Sequence, residues 1–256
     1  MFKKAIIFRI TEPLNLDDLN EKLKAMAATD CGSHEESSIG WDAPDSTDSD
    51  NLVQDIKGVK FIQLRINEKI MPSSVINEEL NSKVKLIEEE QHIKLSKKER
   101  TELKDEIIFA MLPQAFQKTS VVNAFIDEKN NIIMVDATRN KAEDLISCLR
   151  KTIGSLPVVP VYAKNDISNV LTRAVLDYGS LTPFQFNDKF LLKDTEDKSK
   201  TSRLSGFSDT GEVKQQLKNG GVTIVETSLG WKEDLTFTIN ENSGECLISS
   251  RQSIFD

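Results

Sequence analysis

The sequence contains few of the residues that most often carry catalysis or hold a metal. Among 256 residues there are two histidines and three cysteines, and neither Cys-x-x-Cys nor His-Glu-x-x-His, the spacings of common zinc sites, occurs. A glycine-rich phosphate loop and the Gly-x-Ser-x-Gly turn of serine hydrolases are also missing. We therefore predict that the protein is not an enzyme, and we expect no cofactor. His34, in a polar loop, and His92, in a charged helix, are predicted to be surface residues.

An acidic cluster is the remaining route to metal-dependent chemistry. Its carboxylates could hold a divalent cation in a nuclease-like site, but the density of serine and proline favours a solvated loop. Residues 29–50 are predicted to form a long exposed loop or two short edge strands. The cluster comprises Glu35, Glu36, Asp42, Asp45, Asp48 and Asp50.

Three well-separated cysteines, Cys31, Cys148 and Cys246, suit a reducing cytoplasm and exclude a disulfide framework. No apolar run approaches the roughly 18 residues that a membrane-spanning helix needs. The two lysines near the N-terminus precede a short apolar run that lacks a signal peptide's length and cleavage site. We therefore predict a soluble cytoplasmic protein whose N-terminal segment is a strand.

The overall charge is negative, with a formal net value of -8. An acidic protein binds nucleic acid only if its basic residues are segregated onto one surface. The whole-chain charge therefore argues mildly against such a function. The length allows one large domain or two to three small ones.

The chain is organised around residues 68–116, which predict two helices. Pro72 closes one element, and Ser73 or Ser74 can cap the helix that follows, which runs to about Lys94. Ser96 and Glu99 form a capping box for the second helix. That helix carries an apolar face and ends at Pro113, since proline disfavours helix in the residue before it. The face consists of Leu103, Ile107 and Met111.

Five basic residues gather where the two predicted helices meet, and we call them the basic corner. They lie within residues 94–104 and cover a little under half of the helix circumference. This pattern is typical of a solvated helix face, and it also fits a surface that follows phosphates. The pattern alone does not choose between the two. The basic corner comprises Lys94, Lys97, Lys98, Arg100 and Lys104.

The rest of the chain reads as hairpins followed by helices, so the fold class is α+β with antiparallel sheets and a protruding helical tip. Predicted strands are 5–10, 51–55, 59–67, 120–127, 131–137, 157–161, 184–192, 222–231, 234–240 and 245–250. Four further helices are predicted. One starts at Asn15 or Asp17 and one at Gly211. One runs from Asn140 to Gly154, which ends it, and one runs from Asp166 to Gly179, which ends it. Residues 194–210 are predicted to be a flexible loop or finger. Trp41 and Trp231 favour packing over base stacking.

We place a central α+β domain at residues 1–70 and 117–180, the helical tip at 71–116, and a β-rich base domain at 181–256. These boundaries follow the change from hairpin–helix units to the charged helical run, and the change of character at Leu181.

Several stretches, in order, resemble the RdgC family of recombination-associated proteins. The likeness is near-continuous from residue 1 to about 160 and weaker from 181 to 256, where Trp231–Phe237 still resembles the family's last hairpin. The stretches are 31–33, 39–41, Glu-Lys-Ile-Met-Pro-Ser-Ser-Val-Ile at 68–76, 103–106, Met-Leu-Pro-Gln-Ala-Phe at 111–116, 133–136, 141–144 and 149–160.

The resemblance implies a ring-shaped homodimer that encircles double-stranded DNA without sequence preference, on the nucleoid, and restrains RecA by competing for or occluding DNA. In the family, the aromatic residue matching Phe116 faces the central hole; a hydrophobic staple under the helix end is the alternative. The basic corner matches a lysine-rich stretch of the family. The candidate DNA-binding residues are Lys94, Lys97, Lys98, Arg100, Lys104, Phe116, Lys118, Lys198, Lys200 and Arg203.

The sequence departs from the family pattern in three places. The basic residues of the finger are only partly retained, as Lys198, Lys200 and Arg203, and Gly221 stands where the family has a lysine. The chain ends at Asp256, where relatives continue with an acidic stretch and further helices. The resemblance is therefore to a C-terminally short member, and it leaves the second dimer contact and ring closure open.

Two other functions stay open. One is a protein-interaction scaffold that acts on RecA or a replication factor and has little DNA affinity of its own. The other is a metal-dependent nuclease built on the acidic cluster.

Overall fold

The computed structural model describes residues 4–178, 181–206, 210–232, 235–240 and 245–250. The chain divides into two compact units. The first unit consists of Met1–Asp17, Asp55–Phe61 and Asn123–Asp256, and the second consists of Asp18–Gln54 and Ile62–Val122.

The structure is mixed, with antiparallel strands and six α-helices in the described residues, which confirms the α+β prediction. The strands are β1 Lys4–Ile10, β2 Ser37–Asp42, β3 Val53–Ile56, β4 Val59–Ile70, β5 Phe116–Asp127, β6 Ile132–Asp136, β7 Val158–Pro160, β8 Phe184–Asp194, β9 Thr201–Ser205, β10 Val222–Trp231, β11 Leu235–Asn240 and β12 Glu245–Ser250. The helices are α1 Leu19–Lys24, α2 Ser73–Gln91, α3 Lys97–Met111, α4 Arg139–Ile153, α5 Ile167–Arg173 and α6 Gly211–Lys218.

Antiparallel hairpins build the sheet of the first unit. Its strand order is β5-β6-β1-β12-β11-β10-β8-β9, and β7 pairs with β1. The predicted hairpin of β3 and β4 is confirmed, with positive φ at both turn residues, Lys57 (55°) and Gly58 (86°). Two positive φ values match the twist of antiparallel strands in a two-residue turn. The β5–β6 and β10–β11 hairpins are confirmed as well.

Helices of the first unit bury one face each. On α4 the residues Leu145 and Leu149 are fully buried, as their spacing of four predicts, and Gly154 with φ 83° ends the helix. A second cluster joins α5 and α6 to β8 and β10. Its members are Leu171, Val175, Phe190, Leu192, Val213, Leu217 and Ile224. Burial of each large apolar side chain contributes about 1.5 to 3 kcal/mol, so these faces stabilise the unit.

The second unit is centred on Trp41, which is 1% exposed and confirms the packing prediction. Strand β2 pairs with β4, with Trp41 opposite Leu64. The other edge of β2 contacts the segment after α1: Ala28 N donates to Trp41 O at 2.7 Å, and Trp41 N donates to Met26 O at 2.9 Å. The backbones approach closely there because residue 40 is glycine; a Cβ at Gly40 would lie 2.5 Å from Ala28 Cα.

We expect Gly40→Ala to destabilise the protein by about 1 to 3 kcal/mol, because the added methyl group meets backbone that cannot move aside easily. Thermal unfolding followed by circular dichroism measures this loss. Gly32→Ala is the matched control, since its Cβ would meet only the flexible Glu35 side chain, at 3.2 Å. Equal melting temperatures for the two variants would contradict the packing account.

Three helix starts differ from the sequence prediction. Pro72 occupies the cap position of α2 without a side-chain hydrogen bond, so Ser73 and Ser74 lie inside the first turn. Thr138 precedes α4, which places Asn140 within that helix. Helix α1 begins at Leu19, after Asp18 in the left-handed conformation. At each of these starts the capping position makes no side-chain hydrogen bond to the helix, so a capping side chain did not set the boundary.

The structure narrows two further expectations. In the predicted loop or finger at 194–210, residues 201–205 form β9, paired with β8, and their polar sequence suits an edge strand that buries little. Trp231 is 40% exposed, with Lys232 Nζ 4.6 Å from its ring centroid, so it is not a core residue. The predicted helix stop at Gly179 and strand start at Asp234 lie outside the described residues.

Candidate nucleic-acid interface

The capping box at the start of α3 is confirmed. Glu99 N donates to Ser96 Oγ at 3.3 Å, and Ser96 N donates to Glu99 Oε2 at 2.7 Å. Hydrogen bonds to the Glu99 carboxylate from the Ser96 side chain and from the Ser96 amide hold the pKa of Glu99 below its ordinary value of 4.5. The carboxylate is therefore charged at neutral pH, and its contribution to the helix start is lost as the pH falls through the lowered pKa. The box fixes where α3 begins.

Helix α2 ends at Gln91, three residues earlier than predicted, because His92 takes the left-handed conformation with φ 53°. A left-handed residue after the last turn ends a helix. Residues 92–96 therefore form a linker, and Lys94 lies in that linker. Lys97 is the first residue of α3.

The apolar face of α3 is the predicted one. Ile107 is 1% exposed, and Leu103 and Met111 are half-buried. The helix ends at Met111 and continues into a 3-10 turn at Leu112–Gln114, which contains Pro113. Leu112 O accepts from Ala115 N at 3.2 Å and from Lys69 Nζ at 2.8 Å, and the second bond ties this turn to β4.

Three residues of the basic corner, Lys97, Arg100 and Lys104, lie on one face of α3 by their spacing of three and four. Lys94, Lys97, Lys98 and Arg100 are exposed, whereas Lys104 is half-buried. Lys98 Nζ lies 3.7 Å from Glu102 Oε1, an exposed pair one turn along. Within the described ranges, neither Lys94 nor Lys97 forms an ion pair.

Glu88, near the end of α2, belongs to this site and was not predicted. Its Oε1 accepts from Leu95 N at 3.1 Å and from Arg100 Nη2 at 3.1 Å. The bond from Leu95, the bond from Arg100 and the nearby charges of Arg100 and Lys94 hold the pKa of Glu88 below 4.5. Residues 88 and 100 lie on different helices, so the periodicity of a single helix does not predict their contact. The two residues meet because the linker at 92–96 reverses the chain between α2 and α3.

Phe116 begins β5, and its side chain is 85% exposed. The alternative of a hydrophobic staple under the helix end is therefore wrong, because a staple side chain would be covered. Lys118 lies on the same face of the strand, two residues along, and is also exposed. Gln117, on the other face, accepts from Cys31 N at 3.0 Å and fixes this end of β5 to a loop of the same unit.

The other three candidates lie in the first unit, around the hairpin of β8 and β9. Lys198 is exposed in the turn, and Arg203 is exposed on β9. Lys200 Nζ pairs with Asp197 Oδ2 at 3.3 Å. Asp194 N-terminal to the turn accepts from the amides of Glu196 and Asp197, at 2.9 and 2.8 Å. Local hydrogen bonds thus give the turn a defined shape.

Asp42 ends β2, and the other members of the acidic cluster lie in turns and irregular segments. Asp45 accepts from the amide and the hydroxyl of Thr47, at 2.9 and 2.7 Å, and these bonds lower its pKa. In the part of the chain that the structure describes, no group of three or more His, Cys, Asp or Glu side chains could hold a metal ion. His34 is exposed as predicted and stacks on Phe109, with ring centroids 4.3 Å apart.

Cys31 and Cys148 are free thiols, and Cys246 lies outside the residues whose side chains are described. The described helices include none that is long and apolar enough to cross a membrane.

Comparison with known proteins identifies relatives over nearly the whole chain. Residues 1–244 match a family model described as "Putative exonuclease, RdgC". The recombination-associated protein RdgC of Yersinia enterocolitica is 35% identical over 247 residues, which cover 94% of this chain and 80% of that protein. RdgC proteins of Yersinia pestis and Yersinia pseudotuberculosis match with the same identity and coverage. The chain therefore belongs to the RdgC family.

Proposed function

We propose that the protein binds double-stranded DNA without sequence preference and modulates RecA-dependent recombination. The observation that supports this most is a short run of exposed cations. The chain carries a net charge of -8, and four exposed cations, Lys94, Lys97, Lys98 and Arg100, lie within seven residues where α2 meets α3, with Glu99 as the one acid between them. An acidic protein meets the requirement for nucleic-acid binding only through such a surface.

The chemistry of these side chains favours phosphate contacts. Lysine ammonium groups are point charges on flexible stems, and they position a protein on the DNA backbone without reading bases. Base reading needs side chains such as Asn, Gln or Arg that point at the base edges from one helix or strand. The basic corner contains one arginine, and Glu88 already binds it. Because the corner lacks a set of base-reading side chains, its binding to DNA should not depend on the base sequence.

Phe116 and Lys118 extend the proposed surface along β5. An exposed aromatic ring can stack on a base or wedge between base steps, and both contacts tolerate any sequence. Lys118, on the same face of β5, supplies a charge for the adjacent phosphate. Lys198, Lys200 and Arg203 are proposed as further phosphate contacts from the first unit.

The proposed assembly is a homodimer that encircles the duplex and restrains RecA by occluding DNA on the nucleoid. It rests on the membership in the RdgC family and on the likeness of residues 68–116 to the family's pattern. Binding by itself performs this role, so the proposal includes no catalytic step.

A titration with two unrelated duplexes of equal length tests the function. Affinities should agree within a few fold; a preference of about a hundredfold, or ~2.7 kcal/mol, would show base reading and contradict the proposal. Incubating end-labelled duplex with the protein and magnesium tests the nuclease alternative. We expect the DNA to keep its full length on a denaturing gel, and shortened DNA would support the exonuclease of the family description.

One observation favours the second candidate, a protein-interaction surface. Val75 and Leu86 are 44% and 57% exposed and, eleven residues apart, lie on one side of α2. A scaffold acting on RecA or a replication factor could use these side chains. Wild-type protein that restrains RecA on DNA without binding duplex itself would favour this candidate over the first.

A further inference from the structure

Glu88, which precedes Glu89 and Glu90 near the end of α2, is an acidic side chain in contact with the basic corner through Arg100. Arg100 on α3 and Lys94 in the linker both contribute to its lowered pKa. Its side chain is 24% exposed, and that of Arg100 is 48% exposed. The pair is therefore covered on one side and open to solvent on the other.

The carboxylate makes contacts that a DNA phosphate would make. One oxygen, Oε1, accepts from both the backbone amide of Leu95 and the guanidinium of Arg100. Phosphate oxygens bind the same two kinds of donor, backbone N–H groups and arginine. A phosphate that approaches Arg100 therefore meets a guanidinium that already has an anionic partner.

We propose that Glu88 is a built-in counter-ion of the basic corner, which orients Arg100 and the linker and competes with DNA phosphate for Arg100. This inference rests on the proposed function and concerns the same surface. Glu88 is a positioning residue, since it acts through Arg100 and not on DNA. Its presence limits affinity, because Arg100 must exchange one anion for another on binding.

The test is Glu88→Gln, which removes the charge and keeps an acceptor oxygen for Leu95 N and Arg100. At low salt we expect duplex affinity to rise about three- to tenfold, since one negative charge near the phosphate is gone. The slope of log K against log salt should become steeper by up to about 0.9 per protomer, because Arg100 becomes free to neutralise a phosphate. A purely structural role for Glu88 would change neither quantity in this direction.

Glu89→Gln is the matched control. Glu89 carries the same charge one residue along and pairs with Lys85 Nζ, at 3.9 Å, on the preceding turn. It should change affinity little. An equal gain from Glu89→Gln would show an effect of total charge and overturn the proposal. So would a Glu88→Gln gain that persists in the Arg100→Gln background, or no gain at all.

The duplex affinity of Arg100→Gln is a second test of the proposal, and it leaves Glu88 unchanged. Since Glu88 already neutralises Arg100 in part, this variant should lose less affinity than Lys97→Gln, whose ammonium group has no such partner in the described residues. A larger loss from Arg100→Gln would overturn the proposal. Failure of the proposed function looks different, because wild-type protein would then show no salt-dependent DNA binding.

Discussion

The double variant Lys97→Gln/Lys98→Gln should bind duplex DNA about 10- to 100-fold more weakly than wild type at 0.1 M salt, with a slope of log K against log salt that is smaller by about 1.8 per protomer. Each neutralised phosphate contributes about 0.9 to that slope, and two contacts are removed. Both side chains are exposed. Fluorescence anisotropy of a labelled duplex at several salt concentrations measures both quantities.

The fold should survive this change. Glutamine has nearly the helix propensity of lysine, and the capping residues Ser96 and Glu99 are untouched. The one ion pair lost, Lys98 with Glu102 at 3.7 Å, is exposed, and pairs of this kind contribute about 0 to 1 kcal/mol. Lys22→Gln/Lys24→Gln, on α1 of the same unit, is a control with an equal change of charge. Unchanged affinity and slope in the corner variant would make the basic corner a solvated face and leave Lys198, Lys200 and Arg203 as the candidate DNA surface.

Phe116→Ala should weaken duplex binding by about 1 to 3 kcal/mol, the range for an aromatic side chain stacked on a base, and should leave the salt slope unchanged. Contact of an uncharged ring with DNA releases no counterions from the phosphates, so in this variant the affinity falls while the salt slope stays the same. Because the ring is 85% exposed, its removal should leave the melting temperature nearly unchanged. The measurement is the same anisotropy titration.

Tyr162→Ala is the control for Phe116→Ala, since Tyr162 is also an exposed aromatic residue, at 60%, and is not part of the proposed surface. It should bind DNA as wild type does. If Phe116→Ala binds duplex DNA with wild-type affinity, Phe116 does not contact DNA, and the proposed interface consists of the cations alone.

Local chemistry explains what could be predicted from the sequence. The capping box needs only two residues three apart, and Gly58, which accepts positive φ, marks the turn between β3 and β4. Both are present in the structure. The exposure of Lys97, Lys98 and Arg100 could also be predicted, because five cations within eleven residues are too polar to be buried together.

Interactions that depend on tertiary structure could not be predicted in the same way. The left-handed conformation of His92 ends α2 early, although Lys94 and Leu95 have good helix propensity. This early end produces the linker whose Leu95 amide reaches Glu88. The pairing of Glu88 with Arg100 then depends on the angle between two helices. Likewise, the polar residues of β9 gave no strand signal, because an edge strand gains its order from its neighbour.

The salt dependence of wild-type binding to duplex DNA tests the central claim most directly. The four exposed cations of the basic corner contribute about -3.6 per protomer to the slope of log K against log salt, at about -0.9 for each phosphate. The partial neutralisation of Arg100 by Glu88 lowers the magnitude of this contribution to between about 2.7 and 3.6, and phosphate contacts from Lys118, Lys198, Lys200 and Arg203 add to it. A slope at least as steep as about -2.7 per protomer would support phosphate binding by the corner. A slope near zero, or no binding at low salt, would contradict the account.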